Sequence, residues 1–139
     1  MRTSVLPRRR DSVLEALELL RSAEPAISLT HTLAFLYICE NEGLNVSELA
    51  AVSRVTIATA SRTARALTSR SAPDSLKPAP GWIESRLNPT DAKSRILFLT
   101  PAGRALRERI DLVIRASQPI VQPQAADAPH PPISLRRAS

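Results

Sequence analysis

Residues 56–67, Thr-Ile-Ala-Thr-Ala-Ser-Arg-Thr-Ala-Arg-Ala-Leu, decide how this chain is interpreted. One side of a helix over this stretch is a narrow stripe of small or apolar residues at helical spacing: Ala60, Thr63, Ala64 and Leu67. The other side carries short hydroxyls, apolar groups and two guanidiniums: Ile57, Ala58, Thr59, Ser61, Arg62 and Arg65. A slim helix without carboxylates fits the major groove of duplex DNA, where arginine pairs with guanine and threonine or alanine contacts the thymine methyl. We therefore predict a DNA-recognition helix over residues 56–69.

Three further helices are predicted before it. Each of the four begins at a residue type that caps helices well: Asp11 or Ser12, Ser28 or Thr30, Ser47, and Thr56. The first ends near Pro25, and Gly43 ends the second because glycine tolerates a positive φ. A short helix over 48–53, a tight turn and the helix from Thr56 form a helix-turn-helix over residues 47–69.

A hairpin and one more helix are predicted after it. Residues 71–80 hold three prolines and read as a loop. Residues 81–87 and 94–99 are strand candidates, and 88–93 have the composition of a hairpin loop. Thr100-Pro101 starts a last helix to 117, with Ala105, Leu106, Ile110, Val113 and Ile114 on one side. The fold class is mainly α with a small β-hairpin wing, a winged helix-turn-helix, over residues 11–117. Residues 1–10 are predicted to be a flexible basic arm and 118–139 a disordered tail rich in proline and alanine.

These local residues resemble the MarR family of bacterial transcription regulators. Glu48-Leu49-Ala50 followed by residues 55–62 is similar to its helix-turn-helix, and residues 81–86 are similar to its strand entering the wing. Residues 88–93 and then Leu99-Thr100-Pro101-Ala102-Gly103 are similar to its aspartate-containing wing and following helix start, with Lys93 where the family usually has arginine. The resemblance implies double-stranded DNA as partner, a homodimer, and a small-molecule effector that the sequence does not identify. The short helix before the proline-rich tail leaves little chain for the terminal helices through which the family dimerises.

The predicted DNA contacts fall into three groups. The first faces base edges or nearby phosphates in the major groove: Ile57, Ala58, Thr59, Ser61 and Arg62. The second holds phosphates, which set the register of binding without reading sequence: Arg54, Arg65 and Arg70. The third takes the wing into the minor groove: Lys93, helped by Arg86 and Arg95. The family pattern implies that Asp91 orients a wing cation rather than contacting DNA.

Charge and composition agree with a nucleic-acid partner. The chain of 139 residues has a net charge of +6, and residues 54–109 hold eleven Lys/Arg against four Asp/Glu. The whole excess therefore lies in the candidate recognition segment, which favours a polyanionic partner over a basic, soluble surface without a partner. No apolar run approaches the length of a membrane span. The single cysteine makes no internal disulfide, so we expect a cytoplasmic bacterial protein that is associated with the nucleoid when it is bound to DNA.

The remaining chemistry-bearing residues favour structural roles. Cys39 lies in an apolar helix without neighbouring basic residues, so a small buried hydrophobe is favoured over a redox switch. His31 and His130 have no cysteine or carboxylate at metal-ligand spacing, so no metal or other cofactor is predicted. Trp82 either anchors the wing on the core or lines a ligand pocket, and the leucines of the first helix are either core or subunit interface.

No catalytic signature is present, and an enzyme is not predicted. The predicted function is a sequence-specific double-stranded DNA-binding transcriptional regulator, a repressor. Two alternatives remain open: a winged-helix protein-interaction module, and an effector-less replication or partition DNA-binding factor of a mobile element.

Overall fold

Five helices and a three-stranded antiparallel sheet form the part of the chain that the structure describes. The structure is a computed structural model that describes residues 10–121, with Ala92 and Lys93 described by their backbone only. In chain order the elements are α1 (Ser12–Ala23), α2 (Leu29–Glu40), β1 (Leu44–Asn45), α3 (Val46–Ser53), α4 (Ile57–Leu67), β2 (Ile83–Asn88), β3 (Asp91–Leu99) and α5 (Pro101–Ala116). Within residues 10–121, no helix combines the length and apolar character of a membrane span. The predicted fold class is confirmed, whereas the predicted arm and tail lie almost wholly outside the described residues.

Side-chain caps begin the helices, mostly where the sequence predicts them. Ser28 Oγ accepts the N–H of His31 at 3.1 Å, and the N–H of Ser28 donates to His31 Nδ1 at 3.3 Å. The prediction of Ser47 as the cap of α3 is wrong. Asn45 Oδ1 instead accepts the N–H of Glu48 at 2.8 Å, while Glu48 Oε1 accepts the N–H of Asn45 at 2.9 Å. This reciprocal pair satisfies two backbone donors at once, which a cap at Ser47 could not do with Glu48.

The sheet differs from the prediction in two respects: it has a third strand, and its hairpin turn is shorter. The sequence does not predict strand β1, because a strand of two residues shows no alternating pattern. Leu44 pairs with Leu97 and Asn45 with Ile96, which gives the strand order β1-β3-β2. The predicted hairpin loop 88–93 is wrong: strand β3 begins at Asp91, and only two residues separate it from β2. Asn88 Oδ1 accepts the N–H of Thr90 at 3.0 Å and closes the turn. Residues 91–94 are too polar to show the pattern of a strand, although strand pairing itself needs only backbone N–H and C=O groups.

The core lies between α2, α3, α4, α5 and the sheet. Its fully buried large side chains come from α1 to α4 and the two long strands: Phe35, Leu20, Ile38, Leu49, Leu67, Ile83, Leu97 and Leu99. Helix α5 adds Leu106 and Ile110, which are also buried. Trp82 is also buried, with its ring centroid 4.9 Å from that of Phe35. Of the two roles considered for Trp82, the structure therefore shows the wing anchor.

Helix α1 packs on α5 and leaves apolar residues on the surface. The N–H of Ser12 donates to Gln118 O at 2.9 Å, and Ser12 Oγ donates to Val113 O at 3.0 Å. Only Leu20 of α1 is buried, whereas the rest of its apolar stripe is exposed: Val13, Leu14 and Leu17. On α5 the predicted inner residues Leu106, Ile110 and Val113 are buried, but Ala105 and Ile114 are exposed. The two terminal helices therefore share an uncovered apolar surface.

Candidate nucleic-acid interface

Helix α4 has the two faces that its sequence predicts. The inner stripe is buried: Ala60, Thr63, Ala64 and Leu67. On the outer face none of the six predicted side chains is buried, and Ile57 is 59% exposed. Thr56 Oγ1 caps the helix by accepting the N–H of Thr59 at 3.1 Å. Burial of the small stripe holds α4 against the core while its polar side stays accessible.

The loop over residues 69–81 leaves that outer face open. The loop passes the carboxyl end of α4, and its N–H groups donate hydrogen bonds to the last carbonyl oxygens of the helix. The N–H groups of Leu76 and Ala79 donate to Arg65 O and Ala66 O at 3.1 Å and 2.9 Å. The N–H of Trp82 then donates to Leu67 O at 3.0 Å. Because the loop is held at this end, it does not cover Ser61 or Arg62.

The arginines of the helix-turn-helix are accessible and lack acidic partners in the described chain. Residues 49–73 contain four arginines and no Asp or Glu. Arg62 makes only a long contact, 3.4 Å from Nη2 to Thr59 Oγ1, and Arg65 Nε donates to Ser61 O at 3.4 Å. Arg54 is exposed in the turn between α3 and α4, with a left-handed φ of 59°. Their charge is therefore available to a partner.

Part of the wing faces α4 across a cleft of about 460 Å³. The cleft joins the outer face of α4 to the start of α3 and to β3, and its lining comprises Asn45, Val46, Ser47, Ile57, Ser61, Asp91, Ser94 and Arg95. Arg95 is fixed there, since its Nε and Nη2 donate to Ser85 Oγ and Ser85 O at 2.9 Å and 3.0 Å. Four of these lining residues are not among the predicted site residues: Asn45, Val46, Ser47 and Ser94. Only the pairing of β1 with β3 brings the start of α3 to the wing.

The other predicted cations lie elsewhere. Arg86 occupies the opposite face of the hairpin, because adjacent strand residues alternate and Ser85 shares the face of Arg95. Its Nη2 lies 3.1 Å from Glu84 Oε2, and its Cζ lies 4.3 Å from the centre of the Phe98 ring. Arg70 lines a separate cleft beyond the carboxyl end of α4. The side chain of Lys93 lies outside the described part of the chain.

The basic excess is less concentrated on this face than predicted. Arg104 and Arg107 of α5 each lie 3.4 Å from a carboxylate oxygen of Glu42. The N–H of Leu99 also donates to Glu42 Oε1 at 2.9 Å, and this hydrogen bond lowers the pKa of Glu42. These two arginines belong to a structural cluster at the base of the wing. The assignment of the whole excess to the recognition segment is therefore wrong, although residues 54–95 still hold eight Lys/Arg against three Asp/Glu.

Comparison with known proteins agrees with this architecture. No family model and no curated protein matches the sequence. The structure is similar to FabT from Streptococcus pneumoniae in complex with DNA, with a TM-score of 0.59 and 21% identity over 75% of this chain and 66% of that one. It is also similar to MepR in an S. aureus MepR–DNA complex, with a TM-score of 0.60 and 18% identity over 75% of this chain and 76% of that one.

A third similar structure is a mutant MarR from E. coli complexed with operator DNA. Its TM-score is 0.52 and its identity 21%, over 74% of this chain and 68% of that one. The chain thus spans about two thirds of the length of the first of these structures. The fold that the resemblance implies is confirmed, and this chain has the winged helix-turn-helix fold of the MarR transcriptional regulators.

Proposed function

We propose that this chain is a cytoplasmic, sequence-specific double-stranded DNA-binding regulator of transcription that acts as a repressor. One observation carries the proposal: the outer face of α4 is accessible, free of carboxylates, and bordered by a wing cleft. Duplex DNA offers a groove that accepts an α-helix and a phosphate backbone that attracts unpaired guanidiniums. The similarity to proteins solved with DNA supports the same partner.

The proposed contacts of the helix-turn-helix fall into two groups, those that reach bases and those that bind phosphates. Arg62 is the best candidate for reading a base, because its guanidinium makes only one long contact in the described chain. Ile57 and Ser61 line the cleft between α4 and the wing, and they meet base edges or sugars. Ala58 and Thr59 also belong to this face. Arg54 and Arg65 bind phosphates on either side of the groove.

The wing supplies the second contact. Arg95 is already oriented by Ser85, so little conformational entropy is lost when it meets DNA. Lys93 follows Asp91 on the same strand and enters the minor groove as a point charge. Asp91, which lines the cleft with Arg95, orients a wing cation by pairing with it. Arg86 is excluded from the proposed contact because it is paired with Glu84 on the far face of the hairpin.

We further propose that the regulator is a homodimer that joins through α1 and α5. Both helices expose apolar side chains, with Leu17 at 41%, Leu112 at 69% and Ile114 at 59%. Burial of such residues against a second copy stabilises association at roughly 25 cal/mol for each Å² removed from water. Sedimentation equilibrium tests this directly: Leu17→Glu should shift the protein toward monomer, and a monomeric wild type at micromolar concentration would contradict the proposal.

DNA binding is tested by selecting bound sites from genomic DNA and measuring affinity for the recovered duplex. Arg62→Ala should weaken binding by about 1–3 kcal/mol, or roughly 5- to 150-fold, and relax the sequence preference. Arg109→Ala is the matched control for charge, because Arg109 is exposed on α5 and outside the proposed DNA contacts, and sedimentation equilibrium checks that the variant keeps the oligomeric state of the wild type.

Two results would oppose the proposal. Equal loss for Arg62→Ala and Arg109→Ala would show that only general charge matters. Failure of the wild type to bind any duplex at low salt would favour the protein-interaction module instead. A recovered palindrome with half-sites about 34–36 Å apart would support the dimer.

A further inference from the structure

The loop over residues 69–81 is longer than a simple connection between α4 and β2 requires, and it is held by hydrogen bonds. Besides its bonds to the last carbonyls of α4, it has internal hydrogen bonds from the N–H of Ala72 to Ser69 O at 2.9 Å and from the N–H of Ser75 to Ala72 O at 3.2 Å. The N–H of Gly81 also donates to Thr68 O at 3.1 Å. The loop is thus held as a fixed wall beside the carboxyl end of α4.

This wall faces the turn between α1 and α2 across a cleft of about 770 Å³, here called the insert cleft. Arg70 and Lys77 line it from the loop, and Glu24 and His31 line it from the opposite side. It lies outside the cleft between α4 and the wing, with which it shares no lining residue. The insert cleft is therefore a second polar site on the molecule.

The cations of the insert cleft are available to a ligand. Arg70 and Lys77 are exposed, and among residues 10–121 neither has a carboxylate within 4.0 Å. Glu24, the acidic residue of the lining, already accepts the N–H of Ala26 on Oε2 at 3.2 Å. Two positive charges therefore stand against one carboxylate that has a backbone partner.

His31 adds a directional donor. Its Nδ1 accepts the N–H of Ser28, so the neutral imidazole carries its proton on Nε2. Burial lowers the pKa of His31, which favours the neutral form of the ring. An Nε2–H group, a guanidinium and an ammonium on the walls of one cleft offer donors from several directions.

We propose that the insert cleft binds a phosphate group, with Arg70 and Lys77 supplying charge and His31 a hydrogen bond. A phosphate has more acceptor oxygens than a carboxylate and can meet all three donors, and arginine can bind it through two parallel hydrogen bonds. The same chemistry has two sources, a backbone phosphate of DNA beyond the end of α4 and a free phosphate ester.

The first arm of the test uses inorganic phosphate and the full chain without DNA. Isothermal titration should show saturable binding to the wild type and to Arg109→Ala, and binding at least tenfold weaker to the double variant Arg70→Ala, Lys77→Ala. Amide shifts in an NMR titration should concentrate in residues 69–81 and around His31. Far-UV circular dichroism of the double variant should match the wild type, because both replaced side chains are exposed. Unsaturable binding that is equal in all three proteins would overturn the phosphate site.

The second arm measures the salt dependence of duplex binding and rests on the proposed function. If the occupant is a DNA phosphate, the double variant should lower the slope of log K against log salt by about 0.9 for each phosphate that it no longer neutralises, with Arg109→Ala unchanged. If the occupant is a free ester, the slope stays the same while phosphate binding is lost in the first arm. Saturable phosphate binding by a chain that binds no DNA would defeat the proposed function but not this site.

Discussion

Replacement of Gly103 by alanine tests how closely α5 approaches the wing. Gly103 lies in the first turn of α5 and is buried against the backbone of Trp82. A Cβ built at this position overlaps the Trp82 carbonyl oxygen and lies 3.0 Å from its carbon and 3.3 Å from its Cα. The overlap with the oxygen is the tightest of these contacts, so α5 and the backbone of Trp82 would have to move apart by roughly 1 Å or more.

The expected magnitude follows from opposing terms. In an exposed helix, glycine to alanine stabilises by about 1 kcal/mol. Overpacking a rigid site costs about 1–3 kcal/mol, and the hydrogen bond from the N–H of Thr100 to Trp82 O, 3.1 Å long, contributes about 1 kcal/mol more if it is broken. The net loss is about 1–3 kcal/mol, which corresponds to a fall in Tm of roughly 5–20 °C.

Thermal and urea unfolding of Gly103→Ala measure this loss. Ala102→Gly is the control, because Ala102 is exposed in the same turn and should lose at most about 1 kcal/mol through helix propensity. The sign of the change in stability distinguishes the two effects. Helix propensity predicts that Gly103→Ala is more stable than the wild type, whereas the close approach of α5 to Trp82 predicts that it is less stable. A Gly103→Ala protein that is as stable as the wild type, or more stable, would refute the close approach as the reason for glycine here.

Two further predictions concern α2 and the turn that follows it. Glu42→Gln should lose about 1 kcal/mol at pH 7, because Glu42 accepts the N–H of Leu99 as a carboxylate and faces two arginines. The pKa of Glu42 is lowered in the folded state, so its contribution to stability is present above the unfolded pKa and is lost as the pH falls through the folded pKa. The free energies of unfolding of the wild type and Glu42→Gln, measured in urea, should therefore become equal in acid. A difference that stays constant with pH would contradict this role of the Glu42 carboxylate. Burial raises the pKa of the Cys39 thiol to about 12, so Cys39 should react with a disulfide reagent at pH 8 far more slowly in the native protein than in urea. Equal rates in the two states, or release from DNA by stoichiometric peroxide, would restore the redox-switch interpretation.

Much of the fold follows from signals that act over a few residues. The caps at Asp11, Ser28, Thr56 and Thr100 are recognisable because a side-chain oxygen bonds to an N–H three residues ahead. The outer face of α4 was predicted for the same reason, since 3.6 residues per turn assign each position to a side. Its DNA contacts remain a proposal, because accessibility alone does not identify a partner.

Nonlocal pairing limits what the sequence shows of the site. Arg86 and Arg95 look equivalent in the sequence, yet strand register turns one toward Glu84 and the other toward the cleft beside α4. The capture of Arg104 and Arg107 by Glu42 joins residues more than sixty positions apart, which no charge count can detect.

The chain by itself therefore determined its helices, most of their starts and the two faces of α4, because those depend on hydrogen bonds and periodicities within one or two turns. Tertiary structure alone decided which cations remain without an acidic partner among the described residues, where β1 joins the wing, and why a methyl group is not accommodated at position 103. Each of these depends on groups distant in sequence that come within a few ångströms only after the sheet and helices have packed.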